Sequence, residues 1–128
     1  MIEILLCQWL RATAAITAVV PANQIFAITL PKGELYPALK ITRLNSTPEE
    51  TFDGATGEET ARIQIDYWAK DTDTIASIKK ALAEYFDGLE ESQAQVLNVS
   101  DLREQPSYEP KSKVFKQTLE LTLSYKET

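Results

Sequence analysis

The stretch Arg62-Ile63-Gln64-Ile65-Asp66-Tyr67-Trp68, read with Lys70-Asp71-Thr72-Asp73-Thr74 and the apolar positions that follow, decides the fold. Ile63, Ile65 and Tyr67 alternate with Gln64, Asp66 and Trp68, which predicts a strand with one apolar and one polar side. Asp71 or Asp73 then supplies helix N-cap chemistry, and Ile75, Ile78, Leu82, Tyr85, Phe86 and Leu89 recur at helical spacing. Gly88 stands where a left-handed C-cap would close that helix. A strand leading straight into an amphipathic helix brings two apolar surfaces together, so helix packs on sheet.

Working outward, Ala38 to Leu44 alternates as a second strand, and with no helix between them the two strands pair antiparallel. Between them lies Asn45 to Glu59, a polar run with Pro48, Gly54 and Gly57, at the length where structureless connections become uncommon unless functional. It carries one aromatic residue, Phe52. An apolar ring on a polar loop predicts a protruding arm ordered by a partner, the plain alternative being a hairpin tip with Phe52 folded back on the sheet. Upstream, Ile25 to Ile28 reads as a short strand bounded by Pro31 and Gly33. Met1 to Val20 is interrupted by Glu3, Gln8 and Arg11, which argues against a signal peptide or a membrane span. Ile2, Leu5, Leu6, Trp9, Leu10 and Thr13 instead fit one buried face of a helix that Pro21 ends.

Downstream, Val96 to Leu102 reads as a strand and Arg103 to Lys113, with Pro106 and Pro110, as a loop. In the final strand Phe115, Leu119, Leu121, Leu123 and Tyr125 alternate with Lys116, Thr118, Glu120, Thr122 and Ser124. The expected fold is a single α+β domain over residues 1–128. It is a mostly antiparallel four-stranded sheet with two helices packed on one face and a long loop between the two central strands. The polar sheet face is left for solvent or a neighbouring subunit.

Composition narrows the function. The chain of 128 residues has no histidine, which excludes a Ser-His-Asp relay, a Cys-His pair and His-ligated metals. Its one cysteine, Cys7, leaves no intrachain disulfide or CxxC clip and lies near the apolar stripe of the first helix, where a small core residue is expected. The acid pairs Glu49-Glu50, Glu58-Glu59 and Glu90-Glu91 sit side by side in loops or at a helix end, where adjacent side chains do not converge on one cleft. No glycine-rich phosphate loop or calcium loop is complete. A net charge of −6 opposes a grip on nucleic-acid phosphates. No catalytic residue, cofactor or metal is therefore expected. Trp68, on the polar side of its strand, and Tyr108, in the proline-bearing loop, are candidate contact residues alongside Phe52.

Thr51-Phe52-Asp53-Gly54, the run Glu59 to Ala69 around Arg62-Ile63-Gln64-Ile65-Asp66-Tyr67-Trp68, and the helix Asp73 to Leu89 together resemble the tail completion proteins of long-tailed bacteriophages, also described as tail terminator or head–tail joining proteins. Leu35-Tyr36-Pro37, Tyr108-Glu109-Pro110 and Val114 to Tyr125 occupy the corresponding places, so the resemblance spans most of the chain. It implies a structural protein that forms a homo-oligomeric ring, commonly a hexamer, on the head-proximal end of the tail. The implied partners are further copies of itself, the tail tube protein and the head connector. DNA would pass through the lumen without sequence-specific binding, and no membrane is involved. The implied location is the virion tail, assembled in the bacterial cytoplasm. Phe52, Asp53, Gly54, Trp68 and Tyr108 become the expected interface residues. A non-enzymatic protein-binding adaptor on the same α+β frame, and an enzyme using carboxylates or Cys7, are the competing classes.

Overall fold

The computed structural model describes residues 2–30, 36–51, 54–89, 94–101 and 106–126. Helix α1 (Ile2–Arg11) and the one-turn α2 (Ala14–Thr17) lead through a 3-10 turn (Ala22–Gln24) into strand β1 (Ile25–Ala27). There follow β2 (Ala38–Thr51), β3 (Gly54–Ala69), α3 (Thr72–Asp87), β4 (Ala94–Asp101), β5 (Ser107–Glu109) and β6 (Val114–Lys126). The strands form one sheet in the order β1-β2-β3-β6-β4, with β5 also paired to β6.

The α+β class stands, but the sheet differs from the four antiparallel strands expected. Among the described residues it has six strands and is mixed, because β1 runs parallel to β2 with Ile25 opposite Leu39 and Ala27 opposite Ile41. The segment expected as a loop after Arg103 contains β5, whose Tyr108 faces Phe115 across the ladder.

The second correction concerns residues 45–59. They are largely paired strand: β2 and β3 continue as one antiparallel hairpin to Thr51 opposite Gly54. Register shifts between Arg43 and Asn45 and between Pro48 and Glu50 absorb the residues that break alternation. A proline lacks the ladder donor, which is why Pro48 sits beside one of these irregularities. Among the described residues the last pairing of β3 with β6 is Glu58 with Lys126, while β2 and β3 pair on through Glu50 opposite Ala55 to Thr51 opposite Gly54, so the hairpin runs past the described end of β6 as an arm. Phe52 and Asp53 lie outside the described residues.

The N-terminal helix is also divided. The Thr13 hydroxyl donates to the Trp9 carbonyl at 2.7 Å, and Thr13 itself is extended (φ −96°, ψ 115°), so α1 stops at Arg11 and α2 begins afresh. A hydroxyl that bonds back four residues competes with the helix ladder. At the end of α3, Gly88 has φ −101°, so the predicted left-handed cap does not form and the Gly88 amide simply donates to the Glu84 carbonyl.

The helices lie on one sheet face, α1 over β1 and β2, and α3 over β3, β6 and β4. Ile2, Leu6 and Leu10 of α1 and Ile78 and Leu82 of α3 are essentially solvent-free against Ile41, Ile63, Ile65, Leu121 and Leu123 of the sheet. Each such side chain contributes about 1.5–3 kcal/mol relative to exposure. The apolar parity read from β3 and β6 is the parity that faces this core.

Candidate assembly surface

The face turned away from the helices is polar, and its centre is Asp66. Strand alternation sets Asp66 outward on β3, between Lys40 of β2 and Thr118 of β6 in the ladder. One rung along, Trp68 stands between Ala38 and Lys116. Lys40 Nζ lies 3.8 Å from Asp66 Oδ2 and Lys116 Nζ 3.9 Å from Oδ1. The Thr118 hydroxyl donates to Oδ1 at 2.7 Å, and Gln64 Nε2 lies 3.1 Å from each carboxylate oxygen. A carboxylate on an uncovered sheet face is thus only 2% exposed, while its lysine partners stay 27% and 34% exposed.

Trp68 shares this roof. The two ammonium groups stand 6.0 and 5.4 Å from its ring centroid, within cation–π range, and the residue is 7% exposed. The sequence places Trp68 on the polar side, and the structure agrees, but the lysines cover the ring. Farther along, Arg62 Nε donates to Glu120 Oε1 at 3.0 Å, and again the cation is outermost, at 50% against 19% for the acid. The face therefore layers its charges, acids recessed and cations outward. Both Asp66 oxygens are engaged, so the cluster ties β2, β3 and β6 together as one ionic network.

Two further surfaces lie at the sheet borders. The β1 border is closed by α1: Arg11 Nε donates to the Ile25 carbonyl at 2.9 Å, and the Cys7 thiol contacts the same oxygen at 3.5 Å. Burial pushes the Cys7 thiol above its ordinary pKa, opposed by the positive charge of Arg11, so this cysteine is no activated nucleophile. At the other border, no strand among the described residues pairs with the outer edge of β4, and Leu97 is half-exposed beside a groove of about 460 Å³ lined by Ala83, Phe86 and Asp87 of α3 and Val96 to Val99 of β4. Tyr108 is also half-exposed, its ring centroid 4.9 Å from that of Phe115 at 54°. Of the expected contact residues, Trp68 and Tyr108 lie in different rungs on opposite faces of the sheet, and Gly54 closes the arm. Among the described residues no group of three or more Cys, Asp or Glu is placed to hold a metal ion, and no helix is long and apolar enough to cross a membrane.

Sequence reasoning missed Lys40, Asp66 and Lys116. Their outward parity was readable, but the cross-strand register that gathers them was not.

The sequence matches the family described as "Tail completion protein gp17" over residues 5–125. The chain belongs to that family. The tail completion assignment makes it a structural protein of the phage tail, in agreement with the resemblance read from the strand and helix motifs. Its fold is also similar to that of a chain from a solved structure described as "Virion of native gene transfer agent (GTA) particle". The TM-score is 0.57 and the identity 18%, with 94% of this chain and 90% of that chain covered. At that identity the likeness is one of fold. No curated protein matches the chain.

Proposed function

We propose that this tail completion protein works as a closed ring of identical subunits, commonly six, at the head-proximal end of the tail tube, where it ends tube growth and offers the surface that receives the head. The observation that carries this reading is the family match over residues 5–125. Fold similarity to a chain of a gene transfer agent virion supports a place in the particle. The ring would be assembled in the bacterial cytoplasm and reside in the virion tail, bonded to the tube on one side and to the head connector on the other.

The work is done by shape and contact, with no catalytic step. Each copy offers unlike surfaces: the overhanging arm with Phe52, Asp53 and Gly54, the charged outer sheet face with Trp68, and the exposed Tyr108. Contacts between unlike surfaces repeat around an axis and close when the rotation fits. A net charge of −6 suits a channel through which DNA slides without adhering. The test mixes purified protein with assembled tail tubes and images them by negative-stain electron microscopy. Rings capping one end of each tube are expected; failure to bind tubes at any concentration would overturn the assignment.

A further inference from the structure

Between β5 and β6 the chain turns through Pro110 to Lys113. The Lys113 amide donates to the Glu109 carbonyl at 2.8 Å and the Ser112 hydroxyl to Glu109 Oε2 at 3.1 Å, so the turn is held from within. Lys111 and Lys113 are exposed, and among the described residues neither forms an ion pair, whereas Lys40, Arg62 and Lys116 of the sheet face are engaged by Asp66 and Glu120. At the foot of the turn Tyr108 rests on Phe115 and remains 50% exposed. The turn thus presents two unpaired cations beside one aromatic ring, a residue type favoured at the centres of contacts.

The groove between α3 and β4 has the opposite character. Leu97, set at the register shift between Val96 and Asn98, is 52% exposed and Val99 is 37% exposed, so its β4 wall is apolar. Asp87 lines the other wall and Glu84 precedes it by three residues on α3; both are exposed, and among the described residues neither forms an ion pair. The last turn of α3 holds no basic residue, so the negative end of the helix dipole there is not offset.

Turn and groove cannot meet within one molecule. Tyr108 pairs with Phe115 of β6, while Val99 and Val96 pair with Leu121 and Leu123 farther along the same strand, about 20–27 Å away. The turn also precedes Val114 and so lies on the far side of Phe115 from the groove.

We infer that the Tyr108–Lys113 turn of one copy docks in the α3–β4 groove of a second copy of this chain. Lys111 and Lys113 then face Glu84 and Asp87, and the Tyr108 ring covers Leu97 and Val99. Turn and groove are different surfaces, so each copy gives one and receives one, a head-to-tail contact able to close. The inference supplies a contact for the proposed ring and rests on that reading only for closure.

The experiment uses the full chain at low salt. A mixture of unlabelled and 15N-labelled protein is treated with a carbodiimide and its cross-linked peptides are weighed; an amide between Lys111 or Lys113 of one isotopic form and Glu84 or Asp87 of the other is expected. Sedimentation equilibrium then compares K111E/K113E with E84K/D87K, each checked for an unaltered circular dichroism spectrum. Either variant alone should self-associate at least about tenfold more weakly than wild type, and the equimolar mixture of the two should regain association. Raising the ionic strength to about 0.5 M, where the Debye length is only a few ångströms, should weaken the wild-type contact at least about fivefold. Absence of the link at millimolar protein, or association that both variants leave unchanged, overturns the inference. So does duplex DNA that shifts the Lys111 and Lys113 amide resonances where no link between chains forms, since the turn would then serve nucleic acid. The two readings fail separately. If K111E/K113E still caps tail tubes with normal rings, the docking is wrong and the tail role stands; if wild type never caps tubes yet the link forms, the tail role is wrong and the docking stands.

Discussion

At the residue scale, Asp66 shows how an open sheet face acquires a fixed centre. Its carboxylate accepts from Thr118 and lies between two lysines, so removing it leaves a donor without its acceptor and two ammonium groups without their shared anion. Asp66→Ala is expected to cost about 1–3 kcal/mol in urea unfolding, the range for leaving buried polar partners unmatched. Lys40→Ala alone should cost less, because Lys116 remains and exposed pairs contribute little. The outward position of Asp66 was legible from alternation, whereas its burial was not. The groups that cover it come from β2 and β6, and a single sequence does not state their register. Trp68 follows the same logic, its side of the sheet readable and its lysine roof hidden.

At the element scale, local rules performed best where a helix end was governed by one side chain. Asp71 accepts from the Thr74 amide at 2.7 Å, and that bond holds its carboxyl below the usual pKa. A depressed folded-state pKa gives a stabilisation present above the unfolded value, about 4, and lost as pH falls through the folded value. Asp71→Ala should therefore lower the melting temperature at pH 7, and the gap from wild type should close as pH drops toward 3. Gly88 is the opposite case. Its φ of −101° suits any residue, and a Cβ there would meet the Glu84 carbonyl oxygen at 3.5 Å, an ordinary contact. Gly88→Ala should thus be stabilising by about 0.4–1 kcal/mol in chemical denaturation, through loss of unfolded-state freedom. The hairpin was misread as a loop because Pro48, Gly54 and Gly57 are breakers by composition, and only the partner strand shows that bulges accommodate them.

At the scale of the whole molecule, the alternation of β3 and β6 and the stripe of α3 sufficed for the class and the main packing. The short strand at Ile25 was legible, but its parallel pairing with β2 was not, because three residues carry no directional signal. Most of residues 47–57 lies beyond the last described β3–β6 pair, so deleting them with a short turn in their place should leave the melting temperature within a few degrees and reduce assembly on tail tubes. Unchanged ring formation and tube binding would refute a role for the arm. The strand order β1-β2-β3-β6-β4 also bears on how the protein is made. The latest strand in the sequence is an interior strand of the sheet, flanked by two that leave the ribosome before it. At about 5–20 residues per second, the stretch from the end of β3 to the end of β6 takes several seconds to synthesise. Throughout that interval one border of β3 has no ladder partner and β4 has nothing to pair with. Crowding among nascent chains, more than the stability of the finished sheet, would then limit soluble yield, and slowing initiation at constant temperature should raise the soluble fraction.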